Sequence, residues 1–189
     1  MKYIEKSIPE DHGYLIPISW EYIAGYIDGE GSLTFGVVQD KRRNWKSEVD
    51  YYQCTPTLSI SSYDYEVLLS IKKLCDKDNI INSHFLLQPR RGSQTKQPAR
   101  LSFNGFENVK KILEKIIPYS ISKKEQFDIF LNEIYSIYNN RERGSIHNNK
   151  LWIKKDWLSM FKIITKLNLL KSRIRGKDWF EFFKNKWKQ

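Results

Sequence analysis

Two acids separated by one glycine, Asp28 and Glu30, close the stretch Ile23-Ala24-Gly25-Tyr26-Ile27-Asp28-Gly29-Glu30-Gly31. They are the side chains best spaced for chemistry. His12, His84 and His147 are scattered, so a histidine-based metal centre lacks its cluster, and Cys54 and Cys75 lack the CxxC spacing of a zinc site. Gly25 and Gly29 stand four apart, on one face of a helix, with Ala24 beside them; small residues there let a second backbone approach closely. A symmetric dimer supplies that backbone from its own copy, making Ala24, Gly25, Asp28 and Gly29 the expected interface. Two helix ends side by side bring two Glu30 carboxylates together. Like charges a few ångströms apart are costly unless a proton or cations lie between them. Hard divalent cations with oxygen ligands meet that need, Mg²⁺ near phosphates being the usual case. Such ions activate water and stabilise the leaving oxygen in phosphodiester hydrolysis. Spacing alone equally fits a helix stop followed by a Gly-Glu-Gly turn.

The elements that would carry these acids are legible in the hydrophobic period. Ser19 is placed to cap a helix through Trp20 to Ile27 that Gly29 ends, which sets Glu30 just beyond its last turn. Alternation follows: Leu33, Phe35 and Val37 on one side, Ser32, Thr34, Gly36 and Val38 on the other. After the charged loop DKRRNWKSEVD, with Arg42 and Arg43, a second strand turns Cys54, Pro56, Leu58 and Ile60 inward. Its outward residues are Gln53, Thr55, Thr57, Ser59 and Ser61. Asp64 then caps a helix striped by Leu68, Ile71 and Leu74 or Cys75. In a second strand pair, Ile81, Ser83, Phe85 and Leu87 are expected inside, against Asn82, His84, Leu86, Gln88 and Arg90 outside. Ala99, Leu101 and Phe103 are likewise inside, against Arg100, Ser102 and Asn104. A helix through Val109, Ile112, Leu113 and Ile116 stops at Pro118, and a capping box, Ser122 to Glu125, opens another carrying Phe127, Phe130, Leu131, Ile134 and Tyr138.

Helix, two strands, helix, two strands, helices is an α+β order, and it predicts an antiparallel sheet with helices packed on one face. The other face would be polar. Ser, Thr, Gln, Asn and Arg donate to and accept from base edges, and a two-stranded ribbon fits a major groove; solvent alone explains a polar face as well. Arg90, Arg91, Lys96 and Arg100, with no acid between them, favour DNA.

Charge points the same way. The chain of 189 residues carries +10, and residues 150–189 hold 12 basic and 3 acidic side chains against 20 and 19 in the rest. A basic excess gathered in one segment suits a polyphosphate partner through counterion release and steering; a solvated tail is the blander account. No apolar run is long enough for a membrane span, so no membrane partner is expected. The N-terminal MKYIEKSIPEDHG lacks the apolar centre of a signal peptide. The lone thiols suit a reducing compartment, which places the protein inside a cell: the cytoplasm of an archaeon or bacterium, or an organelle.

The nine-residue stretch resembles the signature of the LAGLIDADG homing endonucleases. Ala24, Gly25, Ile27, Asp28 and Gly31 are identical to it; Ile23 and Tyr26 replace leucines, Gly29 the alanine and Glu30 the second aspartate. The element order from Trp20 to Asn140 is similar to that family's αββαββα core. The resemblance divides the chain into an N-terminal arm (1–18), the endonuclease core (19–140) and a basic helical C-terminal extension (141–189). It implies a metal-dependent endonuclease cutting both strands of a long DNA site. A single motif copy implies a homodimer on a near-palindromic site. By the motif match Glu30 is the metal-binding acid, the Gly29 carbonyl a further ligand, and Asp28 a structural residue near the helix end. Mg²⁺ or Mn²⁺ would support turnover and Ca²⁺ occupy the site without it. Lys123, with Lys124 as fallback, corresponds to the family's accessory lysine. The family's glutamine at the end of the second strand is missing here, where Ser59-Ile60-Ser61-Ser62-Tyr63 stands. The residues implied to meet DNA are Thr34, Arg42, Arg43, Thr57, Ser59, Ser61, His84, Gln88, Arg90, Arg91, Arg100 and Ser102. Beyond the core, Trp179, Phe180, Phe183 and Trp187 form an aromatic stripe expected to pack on protein, leaving its basic residues for flanking phosphates. Two other readings share the scaffold: an intron maturase binding RNA, and a DNA-binding protein without cleavage.

Overall fold

Alternating apolar residues, most deeply buried in the two inner strands, form one face of an antiparallel sheet. The computed structural model describes residues 16–39, 52–81, 83–90, 97–140, 154–169, 181 and 184–185, and the chain divides into two compact units, Met1–Ile121 and Ser122–Gln189. The first runs α1 (Trp20–Glu30), β1 (Gly31–Gln39), β2 (Tyr52–Ser62), α2 (Tyr65–Lys77), β3 (Ser83–Leu87), β4 (Ala99–Asn104) and α3 (Phe106–Ile116). The sheet order is β1-β2-β4-β3, with every neighbouring pair antiparallel. Register places Leu33 opposite Leu58, Leu58 opposite Phe103 and Ile60 opposite Leu101. These residues are buried on one face. There α1, α2 and α3 pack on β2, and α2 and α3 also on β4. Ile23, Ile27, Leu68, Ile71, Ile112 and Leu113 complete the layer, fully buried. Each such side chain contributes on the order of 1.5–3 kcal/mol. Of Leu74 and Cys75, it is Cys75 that is fully buried, and that burial pushes its thiol up to about 12.

Four local expectations are corrected. Gly29 does not end α1; the helix continues through Glu30, and Gly31 is its cap. Ile81 is not an inward strand residue but lies before β3, 62% exposed, while Ile80 is buried. The cause is the end of α2: Asn79 adopts φ 56°, Asn79 N donates to Asp76 O, and Ile80 N donates to Cys75 O at 2.9 Å. This is a Schellman turn, which tucks Ile80 under the helix and resets the alternation. Ser102 faces the polar side as expected but is only 8% exposed, because β4 is an inner strand with Ser59 and His84 flanking it in register. Finally, the capping box is displaced. The next helix begins at Lys124 with Lys123 as its N-cap, and Lys123 makes no side-chain cap hydrogen bond. Just before it, Ser120 Oγ and Ile121 N donate to the Asp28 carboxylate.

The second unit contains α4 (Lys124–Ile129), a π-helical stretch (Phe130–Ile134), α5 (Tyr135–Asn139) and α6 (Lys154–Leu169). Phe127, Phe130 and Ile134 are buried, as are Trp157, Met160, Phe161, Ile164 and Leu167 of α6, and α6 packs on the other three segments. The π stretch inserts extra backbone into a turn, which the apolar period does not reveal. Trp157 stacks on Phe161 with centroids 5.1 Å apart. No helix among the described residues is long and apolar enough to cross a membrane. Trp179, Phe180, Phe183 and Trp187 lie outside the described residues.

Candidate nucleic-acid interface and acidic site

Glu30 owes its position to a set of ties on α1. Ser19 Oγ accepts from Tyr22 N at 3.4 Å at the start of the helix. Tyr26 donates its hydroxyl to Ser62 Oγ at 2.6 Å, joining the helix to the end of β2; burial raises the pKa of that phenol. Asp28 accepts from Ser120 Oγ and from Ile121 N, each at 2.6 Å, so its carboxylate anchors the helix end within its own chain. Gly31 then turns the backbone straight from helix into β1. A Cβ at Gly31 would lie 2.6 Å from both Ile27 Cγ2 and Ile27 O, closer than atoms tolerate. Gly25 and Gly29 are different. Both are exposed, and a Cβ at either would meet nothing within 4 Å. Glycine inside a helix costs about 1 kcal/mol relative to alanine, and contacts among the described residues do not explain that cost.

An open groove of about 350 Å³ lies over the polar face, bordered by Glu30, Ser32, Thr34, Phe35, Gly36, Thr57, Ser59, Ser61, Arg100 and Ser102. Six of the sheet residues expected to meet DNA therefore share one depression with Glu30: Thr34, Thr57, Ser59, Ser61, Arg100 and Ser102. Ser32 and Gly36 belong with them; strand alternation already put them beside Thr34. Phe35, expected on the apolar side, is half-buried and also borders the groove. His84 is exposed on β3, opposite Ser102. Gln88 follows β3, with its backbone N–H donating to Pro98 O at 2.7 Å. Arg90 is exposed beyond β3 and does not border the groove. Arg42, Arg43 and Arg91 lie outside the described residues. Lys123 and Lys124 belong to the second unit, Lys123 half-buried and Lys124 exposed.

Among the described residues no group of three His, Cys, Asp or Glu side chains is placed to hold a metal ion. Among the described residues bordering the groove the one carboxylate is Glu30, beside hydroxyl side chains and the Arg100 guanidinium. That carboxylate and the hydroxyls are oxygen donors, the kind a hard cation takes.

The fold and the acid-bearing groove define an α+β domain with a polar, open sheet face, and the comparisons with known proteins specify the class. The family model for LAGLIDADG endonuclease matches residues 23–131, more than half of the chain. The chain belongs to the LAGLIDADG endonuclease family, enzymes that hydrolyse phosphodiester bonds in DNA. Among solved structures it is similar to the homing endonuclease I-CvuI in complex with its target. The TM-score there is 0.63 at 17% identity, over 88% of this chain and 90% of that one. The archaeal intron-encoded homing endonuclease I-Vdi141I, complexed with DNA, gives a TM-score of 0.58 at 18% identity over 89% and 96% of the two chains. The I-SmaMI LAGLIDADG homing endonuclease gives 0.56 at 14% identity, covering 89% of this chain and 49% of that one. At these identities the likeness carries the fold. No curated protein matches the sequence significantly.

Proposed function

We propose that this endonuclease cuts both strands of a specific, long, near-palindromic double-stranded DNA site as a homodimer, using a divalent cation. The observation that carries the reading is the shared groove: Glu30 borders the same depression as the hydroxyl and guanidinium side chains suited to base edges. The unexplained exposure of Gly25 and Gly29 supports pairing of α1 with a second copy, which would bring a second Glu30 beside the first. Glu30, with the Gly29 carbonyl, would hold Mg²⁺ or Mn²⁺. When bound, the ion would supply water activation and charge neutralisation at the scissile phosphate. I-CvuI was solved with DNA in the presence of Ca and of Mg, which supports divalent metal use. Lys123 at the start of α4 is the proposed accessory lysine, and the basic residues of the C-terminal extension would meet phosphates flanking the site, adding affinity without sequence choice.

The test is cleavage of a randomised duplex library with and without Mg²⁺, by the native chain and by Glu30→Gln. The native chain should cut a defined site only with the metal. Glu30→Gln should bind that site and leave it intact; cutting at the parental rate by the variant would remove Glu30 from the mechanism. The end of β2 favours a second reading, a DNA-binding protein without cleavage. There Ser62 accepts from Tyr26 and Ser61 from Arg100, in the region where the family carries glutamine. Binding without Mg²⁺-dependent cutting by the native chain selects that reading, and tighter binding of intron RNA than of any duplex selects a maturase.

A further inference from the structure

Register sets the polar side chains of the groove in rows across the strands. Ser32, Ser59, Ser102 and His84 form one row and Thr34, Thr57 and Asn104 another, while Ser61 stands opposite Arg100 in the row that continues toward Glu30. Hydroxyls both donate and accept, so they suit several bases. Arg100 is different in kind. A guanidinium only donates, and its N–H groups form a rigid fork. With the Gln88 carboxamide oxygen turned toward it, Arg100 Nε and Nη2 donate to Oε1 at 2.9 and 3.0 Å, and Nε also donates to Ser61 Oγ at 3.3 Å.

These partners come from β2 and from the end of β3, either side of β4, so the inner edge of the fork is held from both flanks. A side chain ordered beforehand loses less entropy on binding. The outer edge, made by Nη1 and the remaining hydrogen of Nη2, donates to no described residue. Two neighbouring donors call for two neighbouring acceptors. In the major groove only guanine presents such a pair, O6 and N7; adenine pairs an acceptor with a donor, thymine an acceptor with a methyl, and cytosine shows a donor. A phosphate also offers two acceptors, but phosphates line the walls of a groove about 12 Å wide. Strands spaced about 4.8 Å apart put the two inner ones, β2 and β4, over the base edges.

We infer that Arg100, positioned by Gln88 and Ser61, reads one guanine in each half-site among the base pairs nearest Glu30, while the surrounding Ser and Thr rows tolerate several bases. The inference rests on the endonuclease reading above and adds its base specificity. The experiment is selection of bound duplexes from a randomised library by the native chain, Arg100→Ala and Gln88→Met, followed by affinity measurements on the selected site.

The native chain should show one strict guanine per half-site, preferred roughly 5- to 150-fold over other bases, beside degenerate positions. Arg100→Ala should lose that preference and retain the rest of the profile, and Gln88→Met should relax it partially. Replacing the guanine by 7-deazaguanine, which lacks the N7 acceptor, should weaken native binding and leave Arg100→Ala indifferent, a readout that asks nothing of the variant's stability. The inference is overturned if 7-deazaguanine binds the native chain as well as guanine does. It is equally overturned if Arg100→Ala weakens every sequence alike and lowers the salt slope by about 1, the signature of a phosphate contact. A native chain that selects no duplex at all removes the endonuclease reading too, whereas selection without an Arg100-dependent guanine removes only this inference.

Discussion

Cys75 illustrates what burial does to a single side chain. Its thiol has a pKa pushed up to about 12, chiefly by desolvation, with the carboxylates of Asp76 and Asp78 adding to it. The folded chain therefore keeps this proton at pH values where the unfolded chain, near 9, has released it. The stability tied to that proton is fully present below pH 9 and is lost as pH rises toward 12. Denaturant midpoints measured over that interval should fall in the native protein and fall less in Cys75→Ala. At neutral pH the native thiol should resist alkylation and react once the chain is unfolded, since the thiolate is the reactive form. Glu30 shows what residue type alone conveys. Its spacing from Asp28 marked it for chemistry, and the fold separates the two acids: Asp28 turns inward to Ser120 and Ile121, and Glu30 opens to the groove. No property of two acids separated by one residue says which will anchor and which will remain accessible; residues 120–121, far along the chain, decide it.

Within the elements, the junction of α1 and β1 is closely packed. Gly31 has no room for a Cβ beside Ile27, so Gly31→Ala forces the helix end or the strand start to shift. It should destabilise the fold by about 1–3 kcal/mol, seen as a lower denaturation midpoint, with Glu30 misplaced and cutting reduced further than stability alone explains. The helices and strands were legible because alternation and the helical period record which side faces the core: Leu58, Ile60, Leu101 and Phe103 fall where the period puts them. What alternation does not record is which strand lies beside which. The neighbours of β4 are β2 and β3, and only that order brings Ser61, Arg100 and Gln88 together, so each was legible as a polar residue and none as part of a network. The same limit hid the burial of Ser102. Boundaries also slipped where a local turn outweighed the pattern, as at Asn79 before β3.

At the scale of the whole molecule, the proposed assembly depends on the face of α1 around Gly25 and Gly29, which the described residues leave open. Gly25→Leu adds bulk where the chain itself has space, so the fold should survive and gain helix propensity of about 1 kcal/mol, while the approach of a second helix is blocked. Sedimentation should show the native protein as a dimer and the variant as a monomer, with cutting lost and circular dichroism retained. A sedimentation profile unchanged by the substitution would place the interface elsewhere. The net charge of +10 is compatible with either assembly. Its concentration in residues 150–189 is a property of the sequence, and the aromatic run there lies outside the described residues.

The period of two in β2 separates two kinds of inheritance. Leu58 and Ile60 are fully buried and fix how the domain folds, while Thr57, Ser59 and Ser61 between them border the groove. Point changes at those intervening positions should alter the groove and spare the core, losing only local ties such as the hydrogen bond from Thr57 Oγ1 to Asn104 Oδ1 at 2.8 Å. A single inserted residue in the same strand would exchange the two sets at once and forfeit both. With the groove reading DNA as proposed, new target preferences are open to substitution and closed to insertion within the strands.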